Sequence, residues 1–257
     1  MRITTLVENT SDNENLKCEH GLSLYIETKN HKLLYDMGQT DLFYENAEKL
    51  NIDLSAVDIA VLSHGHYDHG GGLEKFLEVN KKAKVYLSKH AFEPHYNGDK
   101  YIGLDISLKD CDRLVFVDDE LTICDGLTLF SCNKEWCKWD INSGGLSVIK
   151  NGEKIPDPFL HEQYLLIEEN EHKVLISGCS HKGILNIIDW LSVDTVVGGL
   201  HVSKWKEDSL ESLAKMLNFT KISFYTCHCT GVEQYKLMKQ KMSRLHYIST
   251  GDIIELV

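Results

Sequence analysis

Residues 63–72 read SHGHYDHGGG, and they directly follow the apolar run VDIAVL at residues 57–62. An apolar run of this length is typical of a strand that is buried on both faces. In the turn that follows, His64 and His66 can reach one metal ion, while Asp68 and His69 face a second ion nearby. The glycines permit the tight turn and close backbone packing that such a loop needs. Three imidazoles and a carboxylate so close together would otherwise repel or leave donors unpaired, so the spacing predicts a metal site.

Other apolar, strand-like runs also end on side chains that bind metals or transfer protons. They end at Asp36, at Cys179 and His181, at His201 and at His228. In α/β sheets, ligands bind beyond the carboxyl ends of the strands. If these strands share a direction, five widely separated segments deliver Asp, Cys and His side chains to one edge.

Strand-like and helix-like segments alternate through most of the chain. The last third shows the clearest alternation, and its helix over residues 208–217 has apolar side chains at the i, i+3, i+4, i+7 positions of one face. This order predicts an α/β protein in which helices cover the sheets. Because no linker or repeat divides the chain, we expect one domain over residues 1–257, with loop-rich insertions near residues 90–112 and 132–144.

The composition favours a protein that acts on small molecules. The chain has 257 residues, with 39 acidic and 27 basic side chains and a formal net charge of −12. It lacks the basic surface that nucleic acids and anionic membranes require, and no apolar run reaches the ~20 residues of a membrane span. The start has no apolar stretch of the signal-peptide kind, so we expect a cytoplasmic protein whose eight scattered cysteines are mostly reduced. Nothing in the sequence favours a particular oligomeric state.

The pattern HxHxDH, with Asp36 in LLYDMG before it, resembles the metallo-β-lactamase superfamily of metal-dependent hydrolases. The resemblance implies an αββα four-layer sandwich, in which helices flank two mixed sheets. The segments LVEN, SGCSHKGI, VGGLH and CHCTG further resemble the branch labelled dihydropteroate-synthase-like, or pterin-ribofuranosylaminobenzene-phosphate synthase. We expect two divalent metal ions; the nitrogen-rich ligand set favours zinc, with iron and manganese as alternatives.

The resemblance also implies which side chains bind the two metals. Asp36 would hold one of the ligand imidazoles in place. The implied ligands are His64 and His66 for the first metal, and Asp68, His69 and His228 for the second.

The sequence leaves more than one choice for the remaining ligands of the first metal. Members of the superfamily usually have a histidine before the strand that here begins at Tyr164, and a bridging aspartate at the end of the next strand. The first position can only be His161, two residues out of register, while Cys179 takes the bridging position and His181 lies just beyond it. We expect His181 to complete the first site and Cys179 to bridge or contact the metals. The alternatives are ligation by His161 and a buried Cys179 that binds no metal.

Two tryptophans and two cysteines also lie near the predicted site in the sequence. Trp136 and Trp139 lie in a long irregular loop, where they could stack on a flat ring of the substrate or simply anchor the loop. Cys227 and Cys229 alternate with His228 along a strand. They are therefore predicted to face away from the site and to be buried rather than to bind metal.

These features predict a dinuclear metal-dependent hydrolase that acts on a small, anionic ester or phosphoester. Two ions a few ångströms apart can hold a bridging hydroxide and polarise the oxygen of the group it attacks. Asp68 can orient the water, and His201, which follows two glycines, can donate a hydrogen bond or a proton to the developing negative charge. The alternatives are a pterin-pathway synthase or transferase that uses the same site, and a non-catalytic, metal-dependent ligand-binding protein.

Overall fold

The computed structural model describes residues 1–256, so Val257, the last residue of the predicted domain, lies outside the described residues. Three sheets form the framework, with strands numbered in chain order. In spatial order, the first sheet consists of β18 (Ile253–Glu255), β1 (Arg2–Val7), β2 (Ser23–Glu27), β3 (Lys32–Tyr35), β4 (Ile59–Val61), β5 (Lys84–Ser88) and β8 (Leu114–Val117). The second consists of β17 (Leu245–Tyr247), β16 (Ser223–Thr226), β15 (Thr195–Gly198), β14 (His172–Ser177), β13 (Tyr164–Glu169), β10 (Leu127–Phe130) and β9 (Glu120–Cys124). The third, smaller sheet consists of β12 (Glu153–Pro156), β11 (Leu146–Lys150), β6 (His95–Asn97) and β7 (Lys100–Tyr101).

The first two sheets are both mixed, and each has a parallel half. Strands β3, β4, β5 and β8 run parallel to one another, as do β14, β15, β16 and β17. Apolar side chains of both sheets, among them Leu33, Val61, Ile176 and Val197, are buried in one shared cluster between them. Facing sheets interlock their inner side chains in this way. The parallel halves therefore place the carboxyl ends of β3, β4, β14, β15 and β16 where the predicted site residues begin.

Helices cover the outer faces of the two large sheets. They are α1 (Leu42–Lys49), α3 (Leu73–Val79), α4 (Ile184–Trp190), α5 (Glu207–Phe219) and α6 (Val232–Lys239), while the short α2 (Tyr67–Gly70) lies in the turn after β4. One apolar cluster joins α1 and α3 to the first sheet, and another joins α4, α5 and α6 to the second. The predicted apolar stripe of α5 is buried, as its spacing indicates. These layers confirm the predicted αββα sandwich.

The region near residues 90–112 contains more regular structure than its sequence suggests. It contains β6, β7 and a 3₁₀ turn over Ile106–Leu108. Strand β6 pairs with β11, about fifty residues later in the chain, and this pairing builds the third sheet. Strands of three and two residues are too short to show a period, so the sequence alone does not reveal them. The region 132–144, by contrast, has only turns and irregular backbone, as expected.

Within residues 1–256, no helix has the length and apolar character needed to cross a membrane. All eight cysteines lie in this described part of the chain, and each is a free thiol.

Candidate metal centre

The turn after β4 carries the predicted ligands of residues 64–69. His64 and His66 precede α2, and α2 itself carries the aspartate and the last histidine of the motif. Gly65 lets this turn lie against a neighbouring backbone, because a Cβ at this position would be 2.1 Å from the carbonyl oxygen of Ala91. Any larger residue would force the two segments apart, so the glycine fixes where the histidines on either side of it begin.

Four predicted ligands form one compact group. His69 Nε2 lies 3.2 Å from His228 Nε2 and 3.3 Å from Cys179 Sγ. Asp68 Oδ2 lies 3.4 Å from His228 Nε2 and 3.8 Å from His69 Nε2. Ligand atoms bound tetrahedrally at about 2.0–2.3 Å from one ion are themselves separated by roughly 3.3–3.8 Å. His69, His228 and Cys179 therefore fit a single divalent ion, and the Asp68 carboxylate lies close to the two imidazoles.

Hydrogen bonds fix the far nitrogens of both imidazoles in this group. His69 Nδ1 lies 2.7 Å from Asp36 Oδ2, and the same carboxylate accepts from the backbone and hydroxyl of Ser63. His228 Nδ1 lies 2.8 Å from Asn9 Oδ1. Histidines that bind metals commonly donate their other ring N–H to a carboxylate or carbonyl group, which fixes the tautomer. In both residues, Nε2 is thereby left free to bind a cation.

A second group contains His64, Cys179 and His181. Their donor atoms all lie within 4.8 Å of one another. Nε2 of His64 and both ring nitrogens of His181 are buried without a hydrogen-bond partner among the described residues. The His181 ring stacks on Phe159, with centroids 4.4 Å apart and planes 10° apart. Buried polar atoms without partners are costly unless an ion or a water satisfies them, so this donor set fits a second cation. The two groups share Cys179.

His66 lies between this second group and a separate polar cluster. Its ring centroid is 4.6 Å from that of His64 and 5.0 Å from that of His181, and its Nε2 is buried without a partner among residues 1–256. One ring nitrogen of His66 also lies within 4.8 Å of donor atoms of another polar cluster. That cluster consists of His95, Asp157 and His161.

The donor atoms of this cluster and of His66 are close enough to hold a cation, and the cluster also contacts the turn that carries the motif. His161 Nδ1 accepts from the backbone N–H of Gly65 over 2.8 Å, and its Nε2 lies 3.4 Å from Asp157 Oδ2. His95 Nδ1 lies 2.7 Å from the same oxygen. The rings of His95 and His161 have centroids 3.9 Å apart and are tilted by 32°. Nδ1 of His161 is thus engaged by the Gly65 N–H, whereas its Nε2, like both ring nitrogens of His181, is buried without a hydrogen-bond partner among the described residues.

Burial and neighbouring charges set the protonation of the imidazoles. Burial, helped by neighbouring histidines, lowers the pKa of His64 and His181 well below the usual value. Burial also opposes the charged form of His69, but Asp36 and Asp68 outweigh it and raise its pKa to about 9. The first two imidazoles are therefore neutral and have lone pairs to offer. A cation bound at His69 would displace a proton, as metal ligation by histidine requires.

His201, which follows Gly198 and Gly199, lies beside the second group. Its ring centroid is 4.2 Å from that of His181, and its Nδ1 is buried without a partner among the described residues. Its φ of 52° is in the left-handed region, a strained backbone state that is concentrated at functional sites. His201 is therefore placed to contact a ligand held next to the donor groups.

The prediction that Cys229 faces away from the site is wrong. A 3₁₀ turn begins at His228, directly after the end of β16, and so ends the alternation of the strand. The sulfur of Cys229 lies with Cys179 and His201, all three donor atoms being within 4.8 Å of one another. Cys229 is still buried, as expected, and Cys227 is buried between the two large sheets.

A cavity of about 1060 Å³ opens on both groups of donors. Trp139 is part of its wall, and the loop there is fixed by two hydrogen bonds between the Trp139 backbone and the Asn186 side chain. Trp136 is not among the described lining residues and is 76% exposed, because its loop turns outward to meet Trp190. The structure thus does not support the predicted substrate contact of Trp136. The predicted site residues that line the cavity are His66, Asp68, Cys179, His181, His201 and His228.

Two residues at this site were not predicted, Asn9 and His20. Asn9 follows the carboxyl end of β1, and His20 precedes β2. His20 Nε2 lies 3.2 Å from Asp68 Oδ2 at the rim of the cavity. The signal that could have found Asn9 is its position just after an apolar strand, the same signal that identified the histidines.

Comparisons with known proteins assign the chain to a family. The sequence model of the metallo-beta-lactamase superfamily matches residues 16–203. The chain belongs to this superfamily, as the HxHxDH pattern predicts.

Three relatives match nearly the whole chain. An uncharacterized protein of Methanocaldococcus jannaschii is 27% identical, over 98% of this chain and 99% of its own length. The 7,8-dihydropterin-6-methyl-4-(beta-D-ribofuranosyl)-aminobenzene-5'-phosphate synthase of the same organism is 26% identical, over 99% of this chain and 96% of its own length. A crystal structure described as a metal-dependent hydrolase of the beta-lactamase superfamily superposes with a TM-score of 0.86 at 32% identity, covering 100% of this chain and 99% of the other. The resemblance to the pterin branch is confirmed by the second of these relatives.

Proposed function

We propose that this protein is a dinuclear metal-dependent hydrolase of a small, anionic ester or phosphoester. The supporting observation is that two groups of buried donor atoms share the Cys179 sulfur and open on one cavity. Four imidazoles and a thiol have no structural need to converge in this way. The similarity to a protein described as a metal-dependent hydrolase favours the same chemistry.

Each group has a defined role in this proposal. His64 and His181, with His66 beside them, would hold one ion, and His69 and His228 would hold the other together with Asp68 and Cys179. Bound divalent ions would supply an activated hydroxide and polarise the oxygen of the bond to be broken. The mixed nitrogen, sulfur and oxygen donors favour zinc.

The side chains around the donors would act on the substrate itself. Asp68 would accept a hydrogen bond from the attacking water and so orient it. His201 would donate a hydrogen bond to the negative charge that develops on the substrate, from a ring that His181 contacts on one side.

The test is hydrolysis of bis-p-nitrophenyl phosphate by metal-free protein to which zinc or manganese is added back. We expect release of p-nitrophenolate that depends on the added metal and is lost in the His228→Ala variant. The matched control is His246→Ala, which changes an exposed histidine on β17. A rate that is the same with and without metal, or the same in His228→Ala, would contradict the proposal.

A second candidate is a synthase or transferase of the pterin pathway, which the name of the Methanocaldococcus relative favours. The same cavity is at the upper end of the size range of small-molecule sites, so it has room for a two-ring substrate. Tight, metal-dependent binding of a reduced pterin, together with no hydrolysis of any ester offered, would favour this candidate.

A further inference from the structure

The side-chain amide of Asn9 is held in a single orientation by backbone groups. The N–H of Gly21 lies 3.3 Å from Asn9 Oδ1, and Asn9 Nδ2 lies 3.4 Å from the carbonyl oxygen of His228. A backbone N–H can only donate and a carbonyl oxygen can only accept. The oxygen and nitrogen of the amide therefore cannot be exchanged without losing both contacts.

This amide contacts two imidazoles, and it requires opposite tautomers of them. Asn9 Oδ1 lies 2.8 Å from His228 Nδ1, which must therefore carry the proton, so that Nε2 of His228 has a free lone pair. Asn9 Nδ2 lies 3.3 Å from Nδ1 of His20, which must therefore accept. The neutral ring of His20 then carries its proton on Nε2.

Both Nε2 atoms face the same carboxylate oxygen. Asp68 Oδ2 lies 3.4 Å from Nε2 of His228 and 3.2 Å from Nε2 of His20. The His20 side chain is 56% exposed, whereas that of Asp68 is 12% exposed. His20 thus closes the outer side of an otherwise buried carboxylate.

We propose that His20 is a positioning residue, which donates its Nε2–H to Asp68 and so holds that carboxylate toward the metal bound by His69 and His228, with Asn9 setting the tautomer. This inference rests on the proposed function, because it assumes that Asp68 binds a metal. The same tautomer argument excludes His20 itself as a ligand. Ligation through Nε2 would place a proton on Nδ1, where it would point at the amide N–H of Asn9, and two donors would then face each other.

Substitutions of His20 separate a donor from a ligand. In His20→Gln, the side-chain oxygen can accept from Asn9 and the nitrogen can donate to Asp68, but the amide is a poor zinc ligand. In His20→Leu, both hydrogen bonds are lost. The matched control is His246→Leu, on the edge strand β17. The readouts are the stepwise zinc dissociation constants from chelator competition and the visible spectrum of the cobalt-substituted protein.

We expect His20→Leu to weaken one of the two zinc sites by about 10- to 100-fold, the usual effect of removing a side chain that orients a ligand. His20→Gln should keep the wild-type affinity and cobalt spectrum, as should His246→Leu. The inference is overturned if His20→Leu binds zinc as tightly as wild type, or if His20→Gln is as weak as His20→Leu. If wild type itself binds no zinc, the proposed function fails. If wild type binds two zinc ions and hydrolyses the diester, and His20→Leu binds zinc with the same affinity, only the inference about His20 fails.

Discussion

At the scale of single residues, the ring nitrogens of His181 and His161 have different contacts. Among the described residues, neither ring nitrogen of His181 has a hydrogen-bond partner, while Nδ1 of His161 accepts from the Gly65 N–H and only its Nε2 is without one. We therefore expect His181→Ala to lose one metal per chain. His161→Ala should keep both metals and lower the free energy of unfolding by about 1–3 kcal/mol, because the Gly65 N–H loses its buried partner. Metal content and chemical denaturation measure the two effects, and metal loss in His161→Ala alone would reverse the assignment.

His201 provides a second prediction at this scale. If it donates to the substrate's developing charge, His201→Ala should lower kcat for the diester by about 100-fold while metal content stays the same, since removing one such donor commonly has this effect. A loss smaller than about tenfold, with metal retained, would mean that His201 has only a structural role.

Most residues of the candidate site could be predicted because a simple physical signal marks them. Polar side chains directly after apolar strands meet at one sheet edge, and this identifies Asp36, His64, Cys179 and His228. The signal fails for Cys229, because the strand period does not continue into the 3₁₀ turn that contains it. The choice between two candidate histidines also required the structure, since it depends on hydrogen bonds between segments far apart in the chain.

The loop of residues 132–144 provides a prediction at the scale of elements. Trp139 lines the cavity, whereas Trp136 points to solvent. Trp136→Ala is therefore a matched control for Trp139→Ala in the same loop. Trp139→Ala should raise KM for an aromatic diester, because the ring loses contact area, with a smaller change in kcat. Trp136→Ala should match wild type in both constants. Equal KM values for the two variants would contradict a substrate contact of Trp139.

Long elements could be predicted from their period, and short ones could not. The stripe of α5, from Leu210 to Leu217 in a helix of 13 residues, predicts the helix and its buried face. Strands β6 and β7 have three and two residues, and they exist because β11 pairs with β6. Pairing between distant segments leaves no local pattern in either segment, which is why the third sheet was missing from the sequence-based prediction.

At the scale of the whole molecule, buried imidazoles make the stability of the metal-free protein depend on pH. Burial lowers the pKa of His64, His66 and His181 well below 6.5, the value that they regain on unfolding. Below about pH 6.5 the unfolded chain therefore binds more protons than the folded one, and the free energy of unfolding falls as pH falls. His69 has the opposite sign: its raised pKa stabilises the fold below about pH 6.5, and this contribution is lost as pH rises through about 9.

We therefore expect the Tm of chelator-treated protein to fall from pH 7 to pH 5, since the imidazoles with a lowered pKa, which also include His161, outnumber the two with a raised pKa, His69 and His201. Thermal unfolding followed by circular dichroism at both pH values is the measurement. A Tm that rises toward pH 5 would show that these imidazoles are already protonated in the fold.

The account as a whole depends on two metal ions bound by the donor groups that share Cys179. The direct measurement is the metal content per chain of wild type, His64→Ala and His228→Ala by plasma emission spectroscopy, with the diester assay on the same samples. We predict about two ions in wild type and about one in each variant, with activity lost in both. Wild-type protein that binds no metal after exposure to zinc, or metal content that neither substitution changes, would contradict the account.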